Sequence, residues 1–366
     1  MKNKYYSLKN ILSFNAEYNM IIGERSNGKT YSCLKYALED YVNNDRKCAY
    51  IRRWKDDIVG KRAESVFTSL VANKEIERIT LGRYDNVVYS RGCYYLAKYD
   101  DSSRKMIASK RYFCKTFSLS DSEHDKSTSY PEIKNIIFDE FLTRRYYLPD
   151  EFIVFMNVLS TIIREKKDVK IFMLGNTVNK YCPYFDEMGL KNITTQKQDT
   201  IDIYHYGDNG LSVAVEYCGN IQKKKDSNKY FAFNNPKLNM ITNGAWEIDI
   251  YPHLRIGQKI SQNDIIGSFT IDFSYKKIQG DIIENDDGYF IYFHYRTSDI
   301  KDNELVYSLN YDSTRYRRKC FLYRYDKIDE KICSLFKKRK VFFQSNEIGE
   351  IVKNYITECV RNNDVI

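Results

Sequence analysis

The sequence predicts an α/β fold on a mostly parallel sheet, and three observations in its first half carry that prediction. Short apolar runs alternate with stretches of helical periodicity, the pattern of strands and helices taking turns along a chain. The first run, Asn19–Ile22, leads directly into a glycine-rich segment, Gly23–Thr30. A later run, Ile133–Phe138, is strongly apolar and ends in Asp139-Glu140.

The elements follow in order. Asn19–Ile22 reads as a buried strand, and Cys33, Leu34, Ala37, Leu38, Tyr41 and Val42 behind it have helical spacing. Cys48–Ile51 is a second strand. Ile58, Val59, Ala63, Val66, Phe67, Leu70 and Val71 predict one face of a further helix. Val87-Val-Tyr and Cys93–Leu96 flank Ser90-Arg-Gly92, a hairpin signal. Pro149 precedes a helix carrying Phe152, Ile153, Phe155, Met156 and Leu159. Lys170–Leu174 is another strand, ending at Gly175-Asn176. A polar stretch around Lys223–Asn228 reads as a linker. Beyond residue 248 strands are expected at Ile266–Phe273, Tyr289–Tyr295 and Leu305–Leu309, and a closing helix at Glu347–Val360.

Composition narrows the function classes. With 366 residues, the chain suits two domains. No run approaches the length of a membrane span, and the amino terminus lacks the apolar core of a secretion signal, so no membrane partner is expected. Nine dispersed cysteines without a Cys-x-x-Cys pair, and four histidines, argue against zinc or a disulfide framework and fit a reducing cytoplasm. A net charge of +9 suits a polyanionic partner such as nucleic acid, or simply a soluble basic surface.

The chemistry sits in two motifs. Gly23-Glu24-Arg25-Ser26-Asn27-Gly28-Lys29-Thr30 matches the phosphate-loop pattern G-x-x-x-x-G-K-[ST] in full. The glycines allow backbone N–H groups to turn onto phosphate oxygens, Lys29 places charge on the β- and γ-phosphates, and the Thr30 hydroxyl ligates Mg²⁺. ATP and Mg²⁺ are therefore the expected cofactors. Asp139 would stand beside the metal, usually through water, and Glu140 would deprotonate the attacking water. The guanine-reading Asn-Lys-x-Asp is not found, since Asn179-Lys180 continues as Tyr181-Cys182. Asn176 is either a γ-phosphate sensor or an ordinary strand-end turn. Arg164, after the apolar stretch Val158–Ile163, is either a solvated helix end or a finger reaching a neighbour's ATP.

Together these motifs resemble the DNA-packaging (encapsidation) ATPases of small phi29-type tailed phages, over residues 1–190. Tyr50-Ile-Arg52-Arg53-Trp54-Lys55 is similar to that family's Tyr-Val-Arg-Arg-Tyr-Lys. Lys126 ahead of Tyr130-Pro131, Ile136–Phe141, Thr161–Arg164, Asn176–Asn179 and Pro183–Phe185 follow in the family's order. The resemblance implies a RecA-like core of the additional-strand catalytic-glutamate class. It implies a homomeric ring, pentameric in the family, at the portal vertex of a procapsid in the host cytoplasm. The ring would act on double-stranded DNA, with a packaging RNA as a candidate bridge to the portal. Arg164 would act in trans, and Lys55 and Lys126 would be further trans-acting or signalling groups. The insert around 90–126 is longer than in the family.

On this reading residues 1–210 form the ATPase domain, 211–247 a linker and 248–366 an α+β ribonuclease-H-like domain that binds nucleic acid without cutting it. Asp272, Asp281 and Glu284 are the acids that an active nuclease would need to bring together. Arg315, Arg317, Arg318, Lys319 and Lys337–Lys340, interleaved with Tyr316, Phe321, Tyr323 and Phe336, suit backbone binding with stacking, or a solvated face. The alternatives are another ring translocase or helicase, a large terminase with a working nuclease, and a non-enzymatic scaffold.

Overall fold

The computed structural model describes residues 6–121, 130–143, 147–164, 166, 168–178, 182–207, 210–219, 246, 249, 251–255, 260–286, 288–309 and 314–361. The chain divides into two compact units, 1–247 and 248–366.

The first unit holds β1 (Tyr18–Gly23), β2 (Lys47–Arg52), β3 (Asn86–Ser90), β4 (Cys93–Asp100), β5 (Lys105–Ser118), β6 (Ile133–Asp139), β7 (Lys170–Asn176), β8 (Thr200–Tyr206) and β9 (Leu211–Tyr217). They form one nine-stranded sheet in the order β3-β4-β5-β2-β6-β7-β1-β9-β8. The block from β5 to β9 is parallel. Strands β3, β4 and β8 add antiparallel edges. Because β7 lies between β1 and β6, the ends of β1 and β6 point the same way about 10 Å apart.

Alternation along the strands builds two cores. Met20, Ile22, Ile136, Phe138, Ile171 and Met173 face one side, with Phe155, Val158, Leu159 and Ile162 packed on them. Ile21, Ile137, Phe172 and Leu174 face the other, with Cys33, Leu34, Ala37 and Leu38. Those two covers are the helices α1 (Lys29–Asn44) and α2 (Glu151–Ile163). A parallel sheet covered on both faces makes its strands apolar throughout, which is why the sequence pattern was readable.

Two expectations change. The helix expected from Ile58 to Val71 is broken into short turns, Lys55–Ile58, Gly60–Glu64 and Thr68–Ala72. The left-handed backbone at Gly60 (φ 55°) interrupts it, yet Ile58, Ala63, Phe67 and Leu70 are still buried. Residues 211–217, expected in the linker, form β9, which pairs with both β1 and β8. The polar stretch Lys223–Asn228 lies outside the described residues. The Ser90-Arg-Gly92 turn does close a hairpin, with Arg91 (φ 49°) and Gly92 (φ 77°) both left-handed, as a tight two-residue turn requires.

The second unit is a six-stranded sheet of β10 (Ile265–Phe273), β11 (Lys276–Asn285), β12 (Gly288–Tyr295), β13 (Val306–Ser308), β14 (Arg317–Arg318) and β15 (Val341–Phe343), in the order β14-β13-β10-β11-β12-β15. Strands β10, β11 and β12 are an antiparallel meander. Strands β13 and β14 continue parallel beside β10, and β15 parallel beside β12. Helices α3 (Lys327–Lys337) and α4 (Asn346–Arg361) complete the unit. Sequence patterning misses β11 and α3, though Asp326 caps α3 by accepting from the N–H groups of Ile328 and Asp329.

Candidate active site

The site is built at the carboxyl ends of β1, β2, β6 and β7, where an open parallel sheet leaves a crevice. Strand β1 ends at Gly23, whose position leaves no space for a side chain: a Cβ there would stand 2.9 Å from Cys218 Cβ. The loop then turns through Ser26 (φ 60°) and Gly28 (φ 94°), both left-handed, into α1. Lys29 Nζ lies inside this loop, donating to Glu24 O (2.6 Å), Asn27 Oδ1 (3.2 Å), Gly23 O (3.3 Å) and Asn176 Oδ1 (3.3 Å). Burial pushes the Lys29 pKa down to about 8, against the pull of the nearby Asp139 carboxylate. Asn27 Nδ2 is buried and has no hydrogen-bond partner among the described residues. A buried amide donor without a partner, in a loop of phosphate-binding sequence at a helix start, fits a phosphate oxygen. Glu24 is half-buried, and Arg25 and Ser26 are exposed.

Asp139 closes the site from β6. Its Oδ1 accepts from the Thr30 hydroxyl at 3.1 Å, and its Oδ2 from the buried Tyr50 hydroxyl at 2.8 Å. Thr30 Oγ1 and Asp139 Oδ1 are hard oxygens facing one another, which suits Mg²⁺. Glu140 follows with a left-handed backbone (φ 59°), turning its half-exposed carboxylate out of the strand direction. That carboxylate meets Arg52 Nη2 at 2.6 Å, while Arg52 Nη1 stands 3.8 Å from Asp139. Burial works against the charge of Arg52, but Tyr50, Glu140 and Asp139 hold its pKa above the usual value.

Arg53 performs a different task. Its guanidinium is bidentate to the buried Glu151 at the start of α2, at 2.7 and 2.9 Å. It also donates to the carbonyls of Phe141 (2.6 Å) and Glu140 (3.3 Å). Glu151 further accepts from the Tyr184 hydroxyl and Leu148 N–H. The backbone that carries Glu140 is therefore held from below by a satisfied buried ion pair. Across the loop, Asn176 pairs in register with Gly23, and Thr177 N donates to Gly23 O at 3.2 Å.

The structure thus brings Gly23, Asn27, Gly28, Lys29, Thr30, Asp139, Glu140 and Asn176 together. Arg164 sits at the other end of α2, a helix of 13 residues and so about 20 Å long. Lys55 pairs with Asp121 at 2.7 Å, and Lys126 lies outside the described residues. Glu151 is a member of the site that the motifs do not flag, and Tyr50, Arg52 and Arg53 enter the sequence analysis only through the resemblance of their segment. The available signal was a tyrosine and two arginines at the end of an otherwise apolar strand.

In the second unit the acids singled out by sequence do not converge. Asp281 accepts from Ser268 Oγ (2.7 Å), Gln279 Nε2 (2.8 Å) and His294 Nε2 (2.9 Å). Burial would raise its pKa, but these partners hold it low. Asp272 lies in register with Lys277 and Ser308, about 13 Å along β10 from the position facing Asp281. Glu284 accepts from the Tyr289 hydroxyl. The basic-aromatic cluster also divides. Arg318 is tied to Asp326 and Asp329, and Phe321 is buried, stacked on Phe336 at 5.4 Å. Arg315, Tyr316 and Lys337 to Lys340 are exposed.

The model of the podovirus DNA encapsidation protein (Gp16) family matches residues 1–205, more than half of the chain. The chain belongs to that family. Among other encapsidation proteins, the DNA packaging protein of Bacillus phage phi29 is 25% identical over 187 residues, covering 50% of each chain. That of Bacillus phage B103 is 26% identical over 183 residues, covering 49% of this chain and 50% of the relative. The chain thus spans about half the length of the curated relatives it matches. Solved structures share the fold across nearly the whole length. The bacteriophage Phi-29 viral genome packaging motor assembly gives a TM-score of 0.62 at 17% identity, over 98% of this chain and 99% of the other. The Phi-28 gp11 DNA packaging motor gives 0.56 at 19% identity, over 100% of both.

Two outcomes follow from the site geometry. Glu151→Ala leaves the Arg53 guanidinium buried without its carboxylate and should cost about 3–5 kcal/mol in urea denaturation. Lys29 is charged below a pKa of about 8 and loses that charge as pH rises through it. If the loop holds a nucleotide phosphate, affinity for ATP measured by calorimetry should therefore fall above pH 8, by up to about tenfold per unit. In Lys29→Arg the same titration should be flat.

Proposed function

We propose that this encapsidation-family chain is an ATP-hydrolysing motor subunit that moves double-stranded DNA into a viral procapsid. The observation that carries the proposal is the meeting of Thr30 and Asp139 at 3.1 Å, with Glu140 next in the chain. The ATPase unit is read as RecA-like and of the additional-strand catalytic-glutamate class, supported by β7 lying between β1 and β6. It extends through β9.

In the mechanism, the loop N–H groups, Asn27 Nδ2 and Lys29 hold the triphosphate. Thr30 and Asp139 would hold Mg²⁺, which would supply charge neutralisation on the β- and γ-phosphates. Tyr50 keeps the Asp139 carboxylate turned to the loop. Glu140, released from Arg52, orients the attacking water and takes its proton. Asn176, bonded to Lys29, is read as the γ-phosphate sensor. Arg164, at the far end of a helix that begins at Glu151 and is about 20 Å long, is read as serving a neighbouring subunit in a homomeric ring. A ring of five at the portal vertex in the host cytoplasm, with Lys55 and Lys126 as further trans-acting groups and a packaging RNA as bridge, is the assembly this reading adopts. Differential affinity of the ATP and ADP arrangements for DNA then drives movement.

The second unit is read as a ribonuclease-H-like, nucleic-acid-binding domain without nuclease activity. Its support is the three-strand meander with two further strands parallel beside β10, the separated acids, and the exposed Arg315 and Lys337 to Lys340.

DNA-stimulated ATP hydrolysis by mixed rings tests the proposal. Lys29→Ala and Arg164→Ala should each be inactive alone, because one lacks the loop charge and the other the finger, worth about 10³–10⁵ in rate. Mixed, they should recover part of the activity at interfaces that pair an intact loop with an intact finger. A mixture as inactive as its components would contradict the reading.

A further inference from the structure

Arg164 stands on a backbone that arginine does not favour. Its φ is 46° and ψ −122°, and Lys166 N donates to Ile163 O at 3.1 Å. Arg164 therefore follows Ile163 inside a turn closed by that hydrogen bond, with a left-handed φ that glycine adopts far more readily than arginine. A side chain kept in such a conformation is kept there by its surroundings, and such strain clusters at functional positions.

The surroundings here include a lysine that reaches back across the fold. Lys166 Nζ donates to the carbonyl of Tyr130 and, at 2.8 Å, to that of Ile133. Those two carbonyls flank the start of β6, where Ile133 N also donates to Tyr130 O at 3.2 Å. Tyr130 is itself fixed, buried and edge-on to Phe117 at 5.1 Å. The lysine is partly withdrawn from water. Burial, and then neighbouring Lys134, push its pKa down to about 8, opposed by Glu132 and Asp168. Keeping a cation in such a place costs free energy, which its two carbonyl bonds offset. The ammonium thus ties the segment that follows Arg164 to the start of β6.

We propose that Lys166 is a positioning residue for the arginine finger: its side chain clamps onto Tyr130 and Ile133 while its N–H bonds Ile163, and together these fix the turn that presents Arg164 to the neighbouring subunit. This rests on Arg164 being a finger. Lys166 touches no nucleotide, and its effect reaches the reaction only through the turn.

Mixed-ring hydrolysis tests it, because the defect should sit on the donor side of the interface. Lys166→Ala, and Lys166→Met, which keeps the apolar stem, should lower kcat by about tenfold or more while leaving KM for ATP within about twofold. Lys166→Arg should restore much of the rate. Mixed with Lys29→Ala, the Lys166 variants should regain activity; mixed with Arg164→Ala, they should not, since both then lack the same side. Wild-type kcat in both Lys166→Ala and Lys166→Met would overturn the proposal. So would recovery in the mixture with Arg164→Ala, or a mixture with Lys29→Ala that stays inactive while Arg164→Ala with Lys29→Ala recovers. If Arg164→Ala with Lys29→Ala also stays inactive, the finger itself is refuted and the clamp with it.

Discussion

The hydrogen bond from Thr30 to Asp139 joins two segments 109 residues apart, and the rest of the site is arranged around it. It exists because β1 and β6 run parallel with one strand between them, so that a loop leaving one and a carboxylate ending the other arrive at the same crevice. Packing enforces this placement. The six-strand parallel block buries both faces, and a shift of one residue in β6 would carry Phe138 out of one core and Ile137 out of the other. Hydrophobic register, set far from any polar atom, thereby fixes where the two acids stand.

Adjacent arginines divide the labour at the end of β2. Arg53 points down, into a buried and fully bonded pair with Glu151, and supports the main chain at Glu140 and Phe141. Arg52 points up, onto the half-exposed Glu140 side chain. A buried ion pair that loses a partner is costly, whereas an exposed one is exchanged at little cost. Arg53 therefore ties down the backbone under Glu140, whereas the Glu140 carboxylate itself is exposed, on the side chain of a largely buried Arg52. On the proposed reading of Glu140 as the base, this arrangement would let its carboxylate meet water when a triphosphate is present.

Much of this was legible in the sequence, for physical reasons. The phosphate loop is a local motif, and its glycines and lysine announce themselves wherever they fold. The strand before Asp139 was legible because a strand buried on both faces has to be apolar. The helix expected from Ile58 to Val71 failed because the same residues reach the same core from short turns, and apolar spacing cannot distinguish the two. The linker boundary at residue 210 failed because β9 pairs with β1, a contact between residues nearly 200 apart that no local pattern encodes. Glu151 was hidden for a similar reason: as a letter it is an ordinary acid in a helix's first turn, and only the fold shows that Arg53 needs it. In the second unit, Phe321 and Arg318 read as part of a binding cluster, yet both serve the interior. One chemistry of side chain suits both uses, and burial decides between them.

The central claim is that the Gly23–Thr30 loop presents a triphosphate to Asp139 and Glu140. The most direct test is a pre-steady-state comparison of wild type and Glu140→Gln in the presence of DNA and Mg²⁺. The account predicts that the variant binds ATP as tightly as wild type but cleaves it about 10²–10⁴ times more slowly. Cleavage of bound ATP at the wild-type rate would contradict it.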